Sequence, residues 1–487
     1  MSDSVRFLLG SDARELRDVD PTLTELNYLR EHEGRRGTKE GCAEGDCGAC
    51  TVALVEYDGD NVTCQAVNSC IEFVPTLDGK QLLTVEDLSA PSGKLHPAQA
   101  AMVEANASQC GFCTPGFVMS LYVMYRNGDT PERQNIDDSL AGNLCRCTGY
   151  GPIIEAARRM HDTAFEAPVA ESDAVLGGLA KIAGGDGLAL ESHGTRYFAP
   201  TSADELATIL VDHPDACLLA GGTDVGLWVT KQHRRLDPLV YVGNVAELRC
   251  LEIVDGMIEI GAAVTYSDAM GLIGEHYPDF GELLRRLGSV QIRNLGTIGG
   301  NVANGSPIGD ALPALIAAGA QLVLRKGEGC RTMPLEDYFI DYEEQDLASG
   351  EFIERICLPV ADPAVEFRAY KLSKRFDQDI SAVCGAYALR RDSGLVADIR
   401  ICYGGMATTP RRASHAEAAL RGRAFTRSTV NDAMSTLGKD YAPISDMRAS
   451  ADYRLAAARN LLFKFYLEAS GETDALRLAG QGSAAHG

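Results

Sequence analysis

The chain has 487 residues, 15 of them cysteine, and a formal net charge of −23 at pH 7. That length predicts three or four domains with sizeable cores, and the negative charge excludes a general nucleic-acid binder, because nothing in it would displace phosphate counterions. No apolar run reaches the length of a membrane span, and the start Met1-Ser2-Asp3-Ser4-Val5-Arg6 lacks the basic-then-apolar order of a signal peptide; the chain therefore reads as cytoplasmic, where so many cysteines point to metal ligation ahead of disulfides.

Val5 to Leu9 reads as a short strand, with Arg14 to Leu16 as its hairpin mate across Gly10-Ser11-Asp12. Asp20-Pro21-Thr22 opens a helix with Leu23, Leu26 and Leu29 on one side, closing near Gly34. Strand, strand, helix is a ubiquitin-like opening. The stretch that follows holds Cys42, Cys47 and Cys50 as Cys-x4-Cys-x2-Cys, the plant-type [2Fe–2S] spacing, which requires a distant fourth ligand. Gly41, Gly45 and Gly48 suit a loop that must turn tightly and aim N–H groups at sulfur. Cys64 and Cys70 compete for the fourth place; Cys70 is favoured because it follows the apolar Ala66-Val67 run and starts a helix-like segment. A zinc site or buried cysteines are the plainer alternatives, but a loop so rich in glycine and thiol has little core to bury.

A second set lies between Gln109 and Tyr150, as Gln-Cys-Gly-Phe-Cys-Thr-Pro-Gly and then Asn-Leu-Cys-Arg-Cys-Thr-Gly-Tyr. His96-Pro97 starts a helix running to about Ala105; Thr114 caps one reaching Tyr125; Asp137-Asp138-Ser139 caps a short one with Cys145 and Cys147 at its last turn; Pro152 begins a fourth, to about Phe165. Folding the helical hairpin between the pairs would bring Cys110, Cys113, Cys145 and Cys147 to one point. Structural zinc is the bland reading, against which Cys-x-Cys is tighter than the usual zinc spacing.

The order Cys-x4-Cys-x2-Cys, Cys-x2-Cys, Cys-x-Cys, with the residues quoted around each, resembles the iron–sulfur portion of the molybdenum hydroxylases, the xanthine dehydrogenase and aldehyde oxidase family. The resemblance implies one [2Fe–2S] cluster on Cys42, Cys47, Cys50 and Cys70 and another on Cys110, Cys113, Cys145 and Cys147, the second nearer the molybdenum. It also implies that Gln109 contacts the pterin of the molybdenum cofactor, where a plain surface glutamine is the alternative.

Residues 166–190, rich in Ala, Gly and Asp, read as a linker. Pro200 to Leu206 opens a helix through Val211, and a strand at Ala216 to Leu219 leads into Ala220-Gly221-Gly222-Thr223-Asp224-Val225. Small residues in such a turn let phosphate oxygens reach backbone N–H groups, although a tight strand–turn alone has the same pattern. A second glycine-rich loop runs from Asn294 to Asp310, and no Gly-x-Gly-x-x-Gly follows a strand, which disfavours a Rossmann site. Two such loops resemble the FAD domain of the same family. The resemblance implies a diphosphate cradle of Leu218, Leu219, Ala220, Gly221, Gly222, Thr223, Asp224 and Val225 with Thr297, Ile298, Gly299, Gly300 and Asn301. Asp310 would reach the adenosine portion, and Lys371, Ile353 and Leu287 would line the remainder.

Beyond Pro359 the chain resembles the family's flavoprotein C-terminal domain, with strands from Tyr370 through Ile401 and helices to about Ala469. By that resemblance the loop at 374–379, with Arg375, Asp377 and Asp379, governs NAD access; a solvated charged hairpin is the alternative. Cys64, Cys217, Cys250, Cys330, Cys357, Cys384 and Cys402 show no metal spacing and read as small core residues.

The expected fold is therefore α+β and multidomain: a plant-type ferredoxin β-grasp domain at 1–80, a four-helix [2Fe–2S] domain at 81–165, the linker, a two-part FAD-binding α+β domain at 191–362, an α+β flavoprotein C-terminal domain at 363–475 and a disordered tail at 476–487. The family's fused enzymes carry a further molybdenum-binding portion, so the resemblance implies an iron–sulfur and flavin subunit of a xanthine dehydrogenase. Its electrons would come from hypoxanthine and xanthine hydroxylation to urate on a large molybdopterin-binding partner and pass through two clusters and FAD to NAD, in a dimer of heterodimers. A hydroxylase of aldehydes, CO or N-heterocycles, and a partner-free electron-transfer protein, are the alternatives.

Overall fold

A computed structural model describes residues 1–57, 59, 61–162, 165 and 167–472. The chain divides into two compact units, one made of 1–246 with 288–296, the other of 247–287 with the residues from 297 onward. The expected flavin segment 191–362 thus contributes to both.

In the first unit, strands Asp12–Leu16, Val5–Leu9, Gln81–Leu83, Thr51–Tyr57 and Val62–Asn68 form, in that order, a mixed five-stranded sheet. Alternation along the strands sends side chains to two cores, as the period of two requires. Val5, Phe7, Leu9, Val52 and Leu54 meet Tyr28 and Leu29 on one face, where Leu188, Tyr197 and Leu239 also pack. Leu8, Ala53, Val55 and Ala66 meet Ala98, Phe117, Tyr122 and Ile153 of the helical segment on the other. Burying each large side chain of this kind contributes roughly 1.5–3 kcal/mol. The helical segment consists of Pro97–Glu104, Thr114–Arg126, Arg133–Leu140 and Gly151–Arg159. His96 caps the first, its ring accepting the Ala98 N–H at 3.1 Å. Strands Leu188–Ser192, Thr195–Ala199, Leu239–Tyr241 and Cys217–Leu219 complete the unit as a four-stranded sheet, parallel except for the first pair.

The second unit holds an antiparallel sheet ordered Leu251–Val254, Met257–Gly261, Phe352–Pro359, Gln321–Lys326, Gly329–Pro334. It also holds an antiparallel meander of Val365–Leu372, Val383–Asp392, Leu395–Gly404 and Arg411–Arg412. Helices Ser414–Leu420, Arg427–Asp440 and Ala451–Ala469 bury Leu420, Leu437 and Phe465 against Tyr387, Ile401 and Tyr403 of that meander.

Several expectations change. Thr114 is the first residue of its helix, with Cys113 at the cap position, and the short helix Arg133–Leu140 ends before Cys145 and Cys147. Asp137, Asp138 and Ser139 lie inside the helix Arg133–Leu140 and do not cap it, because Asp137 pairs with Arg133 one turn earlier at 2.8 Å. The stretch read as a linker contains the turn Val169–Glu171 and the helix Asp173–Ile182, whose Val175 and Leu179, four residues apart, are buried in the core with Phe117. Cys250 and Cys330 are exposed, since one precedes and the other occupies an edge strand of the second unit's first sheet, and their thiols turn to Glu252 and Glu354 at 3.1 and 3.5 Å. Helix Glu25–Asn27, capped by Thr24, starts later than Asp20-Pro21-Thr22 because Thr24 accepts the Asn27 N–H, and it continues as the wider turn Tyr28–His32. The tail expected to be disordered, 476–487, lies outside the described residues. Among those described, no helix is long and apolar enough to cross a membrane.

Candidate redox centres

The register Thr51↔Asn68 between strands Thr51–Tyr57 and Val62–Asn68 sets Cys50 and Cys70 just beyond the same end of the ladder. The thiol of Cys42 meets those of Cys47 and Cys70, and Cys70 also meets Cys50. Cys50 and Cys70 are buried with Leu26 and Ile71, while Cys42 and Cys47 are half-buried. The N–H groups of Asp46 and Cys47 point at Cys42 Sγ from 3.4 Å each. The Cys47 thiol, then Cys70, then the N–H groups of Glu44 and Asp46 hold Cys42 far below the usual thiol range against the opposing effect of burial. Gly45 and Gly48 take φ of 77° and 69°, and a Cβ on Gly41 would fall 2.7 Å from Cys47 Sγ, so the loop has no room for side chains. Cys64 points into the helical core instead. These contacts run as an open chain, 47–42–70–50. Among the described residues no group of three or more His, Cys, Asp or Glu is placed to hold a metal ion.

In the second set, Cys110 meets Cys147 and Cys113 meets Cys145. Burial, then the Cys145 thiol, push Cys113 up to about 12, whereas the N–H groups of Gly149 and Thr148 bring Cys145 down in spite of burial. Gly111 and Gly149 have φ of 81° and 72°, and Tyr150, at 55°, turns its hydroxyl to accept the Cys145 N–H at 3.0 Å. Cys110 and Cys147 are exposed, as are Gln109, Phe112, Leu144 and Tyr150. The two sets are joined directly: the Leu144 N–H donates to the Cys47 carbonyl at 3.0 Å.

The first expected flavin loop follows strand Cys217–Leu219 and precedes helix Val225–Thr230. Gly222 has φ of 65°, and a Cβ on Gly221 would lie 1.7 Å from the Leu295 carbonyl oxygen. Thr223 and Val225 are half-buried and Asp224 is exposed. Gly221→Ala is therefore expected to lower flavin released per chain while leaving iron content unchanged; full flavin content in that variant would count against this turn as a flavin loop.

In the second unit, Thr297 caps helix Ile298–Asn304 by accepting the Gly300 N–H at 2.9 Å, and Gly299 packs so that a Cβ would lie 2.4 Å from the Ala262 carbonyl oxygen. Asn301 Oδ1 is buried without a hydrogen-bond partner, a group left for a ligand to satisfy. Asp310 and Lys371 form a buried ion pair of 2.5 Å, and Ser381 donates to the other Asp310 oxygen at 2.5 Å. The adenosine contact expected of Asp310 thus belongs to a carboxylate already held by two protein groups. Ile353 is buried in strand Phe352–Pro359, and Leu287 is half-buried.

The 374–379 loop braces itself. Asp379 accepts the Arg375 N–H at 2.9 Å and faces the Arg375 guanidinium at 3.6 Å; burial resists, but the N–H groups of Arg375 and Lys374 hold its carboxyl below the usual range. Exposed Phe376 lies over Arg285 and Arg286, and Lys374 donates to the Met447 carbonyl at 3.0 Å. The sequence pointed neither to Ser381, buried beside Asp310, nor to Arg286, which donates to the Phe376 carbonyl; no local pattern marks partners 71 and 90 residues away.

With this geometry, residues 191–361 match the family described as the FAD binding domain in molybdopterin dehydrogenase, 368–469 the CO dehydrogenase flavoprotein C-terminal domain, and 84–158 a [2Fe-2S] binding domain. The xanthine dehydrogenase of Emericella nidulans is 31% identical over 97% of this chain, and xanthine dehydrogenase 2 of Arabidopsis thaliana 30% identical over 93%. The chain spans 39% of the length of each. Among solved structures, carbon monoxide dehydrogenase from Hydrogenophaga pseudoflava is 30% identical at a TM-score of 0.52, covering 55% of this chain and 93% of that one. Quinoline 2-oxidoreductase from Pseudomonas putida 86 is 26% identical at 0.52, covering 58% and 98%.

Proposed function

Because the chain belongs to the molybdenum hydroxylase family and carries the iron–sulfur and FAD part of such an enzyme, we propose that it is the electron-transfer and NAD-reducing subunit of a xanthine dehydrogenase. Its partner in this reading is a large molybdopterin-binding chain in the cytoplasm, where hypoxanthine and xanthine are hydroxylated to urate, in a dimer of heterodimers. The observation that carries the reading is the pair of thiol quartets in one compact unit, touching through Leu144 and Cys47. The match to xanthine dehydrogenases over 97% of this chain is what supports xanthine as the substrate. The solved neighbours keep a CO or N-heterocycle hydroxylase as the second reading.

Cys42, Cys47, Cys50 and Cys70 would hold one [2Fe–2S] cluster, and Cys110, Cys113, Cys145 and Cys147 the other. The Gly221 loop of the first unit and the Thr297 loop of the second are each proposed as FAD-binding loops. When bound, these groups supply one-electron carriage and hydride exchange. The chain's part is spacing and electrostatics: N–H groups on Cys42 and Cys145 stabilise charge on sulfur, and the buried Asp310–Lys371 pair fixes the start of helix Ala311–Ala318. Gln109, Phe112, Leu144 and Tyr150 offer an exposed, partly apolar surface beside the outer quartet, where the molybdopterin chain would dock. Co-purification with a molybdopterin protein and xanthine-dependent NAD reduction are the expected results; turnover of CO, aldehydes or quinoline alone would move the assignment to the second reading.

The loop with Arg375, Asp377 and Asp379 is proposed to govern NAD access. Asp379→Ala, which removes the brace on Arg375, is expected to raise KM for NAD at unchanged flavin content in steady-state assays. Unchanged NAD kinetics would leave the loop a solvated hairpin.

A further inference from the structure

Residues 288–296 fold with the first unit although the chain on both sides of them belongs to the second. Ser289 caps the short helix Val290–Arg293 by accepting the Ile292 N–H at 3.2 Å. From this segment Ile292 packs on the apolar cluster that contains Cys50 and Cys70, and its Cδ1 would meet a Cβ on Gly45 at 3.0 Å. Asn294 Nδ2 donates to the Ala66 carbonyl at 2.9 Å, on the strand that leads to Cys70. The Leu295 carbonyl fills the space beside Gly221. Thr297, the start of the other expected flavin loop, follows directly in the chain.

Fully buried Gln291 reaches furthest. Its Nε2 lies 3.2 Å from Asn143 Oδ1 and 3.3 Å from both Thr51 Oγ1 and Ser120 Oγ. Asn143 in turn donates to the Gly48 carbonyl at 3.0 Å and to Thr51 Oγ1 at 3.1 Å, and accepts from Ser120 at 2.6 Å. Asn143 immediately precedes Leu144, whose N–H binds the Cys47 carbonyl. Gly142 allows the approach, since a Cβ there would fall 1.8 Å from Gln291 Oε1. The donors of Gln291 and Asn143 are all directed into this buried network, which favours one arrangement of the two loops, while Gln291 Oε1 has no hydrogen-bond partner.

We propose that segment 288–296 mechanically couples the flavin glycine loop to both thiol sets, with Gln291 as the positioning residue that fixes the spacing of the two iron–sulfur loops. A flavin held at the Gly221 turn would bear on the segment at Leu295, from which the short helix leads through Gln291 to Asn143 and Gly48. The inference rests on the iron–sulfur and flavin reading above. Its test uses the purified holoenzyme, with and without its flavin, and reads the magnetic interaction between the two paramagnetic iron–sulfur signals of the reduced protein. In the native enzyme, removing flavin is expected to change the splitting of both signals. In Gln291→Glu, which keeps the side chain's size but loses its two N–H donors, both signals and full iron should remain while the flavin-dependent change disappears. Asn143→Asp, the same exchange one bond further on, should behave alike and serves if the first variant does not fold. A splitting indifferent to flavin in the native enzyme, or equally sensitive in both variants, overturns the coupling. Absence of iron–sulfur signals from the native enzyme overturns the underlying reading instead.

Discussion

Cys113→Ser is expected to remove one of two iron–sulfur signals and to lower iron from about four to about two atoms per chain, because each [2Fe–2S] centre needs its full set of thiolates. Cys113 sits at the head of helix Thr114–Arg126 and meets Cys145, on the far side of the helical hairpin, so no nearby thiol replaces it. Cys64 is buried in the helical core, on the strand that leads to the first set. The signal of the first set, on Cys42, Cys47, Cys50 and Cys70, should persist. In the proposed reading, reduction of flavin by substrate through the partner should stop, while reduction by NADH should continue, since NADH would reach flavin without the outer quartet. Both iron–sulfur signals intact in the variant would refute this ligand assignment.

Lys371→Met should have the largest effect on stability. The Lys371 and Asp310 side chains are 2% and 5% exposed and 2.5 Å apart, so removing the cation leaves a buried carboxylate without its ion-pair partner, held by the Ser381 hydroxyl and facing the Cys384 thiol. Breaking one side of such a pair costs about 3–5 kcal/mol, whereas replacing both partners with uncharged groups of similar size is often close to neutral. Thermal release of flavin should therefore come at clearly lower temperature in Lys371→Met and return most of the way in Lys371→Met/Asp310→Asn. If the double variant restores stability but not flavin affinity, the pair also serves the cofactor. Equal stability of the single variant and the native chain would show that the pair is not the support it is taken to be.

What the sequence made legible was set by short-range chemistry. Cysteines two to five residues apart can share a cluster only in a loop of fixed size, so their spacing carried the site before any fold was known. The glycines at 45, 48, 111 and 149 adopt the positive φ such loops require. The short β-type run Val5–Leu9 was legible as a strand, though not that both faces of its sheet would be covered, and strand Thr51–Tyr57 was not read. Long-range partners were not legible. Gln291 meets Thr51 across 240 positions and Lys371 meets Asp310 across 61, and no local pattern records either contact.

The misreadings had physical causes as well. Asp137 resembles a cap because aspartate favours helix starts, but an ion pair one turn back holds it inside the helix. The helix Asp173–Ile182 has little periodicity and exists because Val175 and Leu179 find a core to enter, so tertiary packing overrides a glycine-rich composition. Cys250 and Cys330 were assigned to the interior on the habit of free cysteine, whereas edge-strand geometry turns them to solvent and to carboxylates.

The most direct test of the central claim is a stepwise reduction of the purified protein, followed by paramagnetic resonance and visible absorbance, with iron and flavin counted per chain. Two distinguishable [2Fe–2S] signals, about four irons and one flavin reducible by NADH are the predicted result. A colourless protein holding a single zinc, or one signal with flavin that NADH leaves oxidised, would contradict the account.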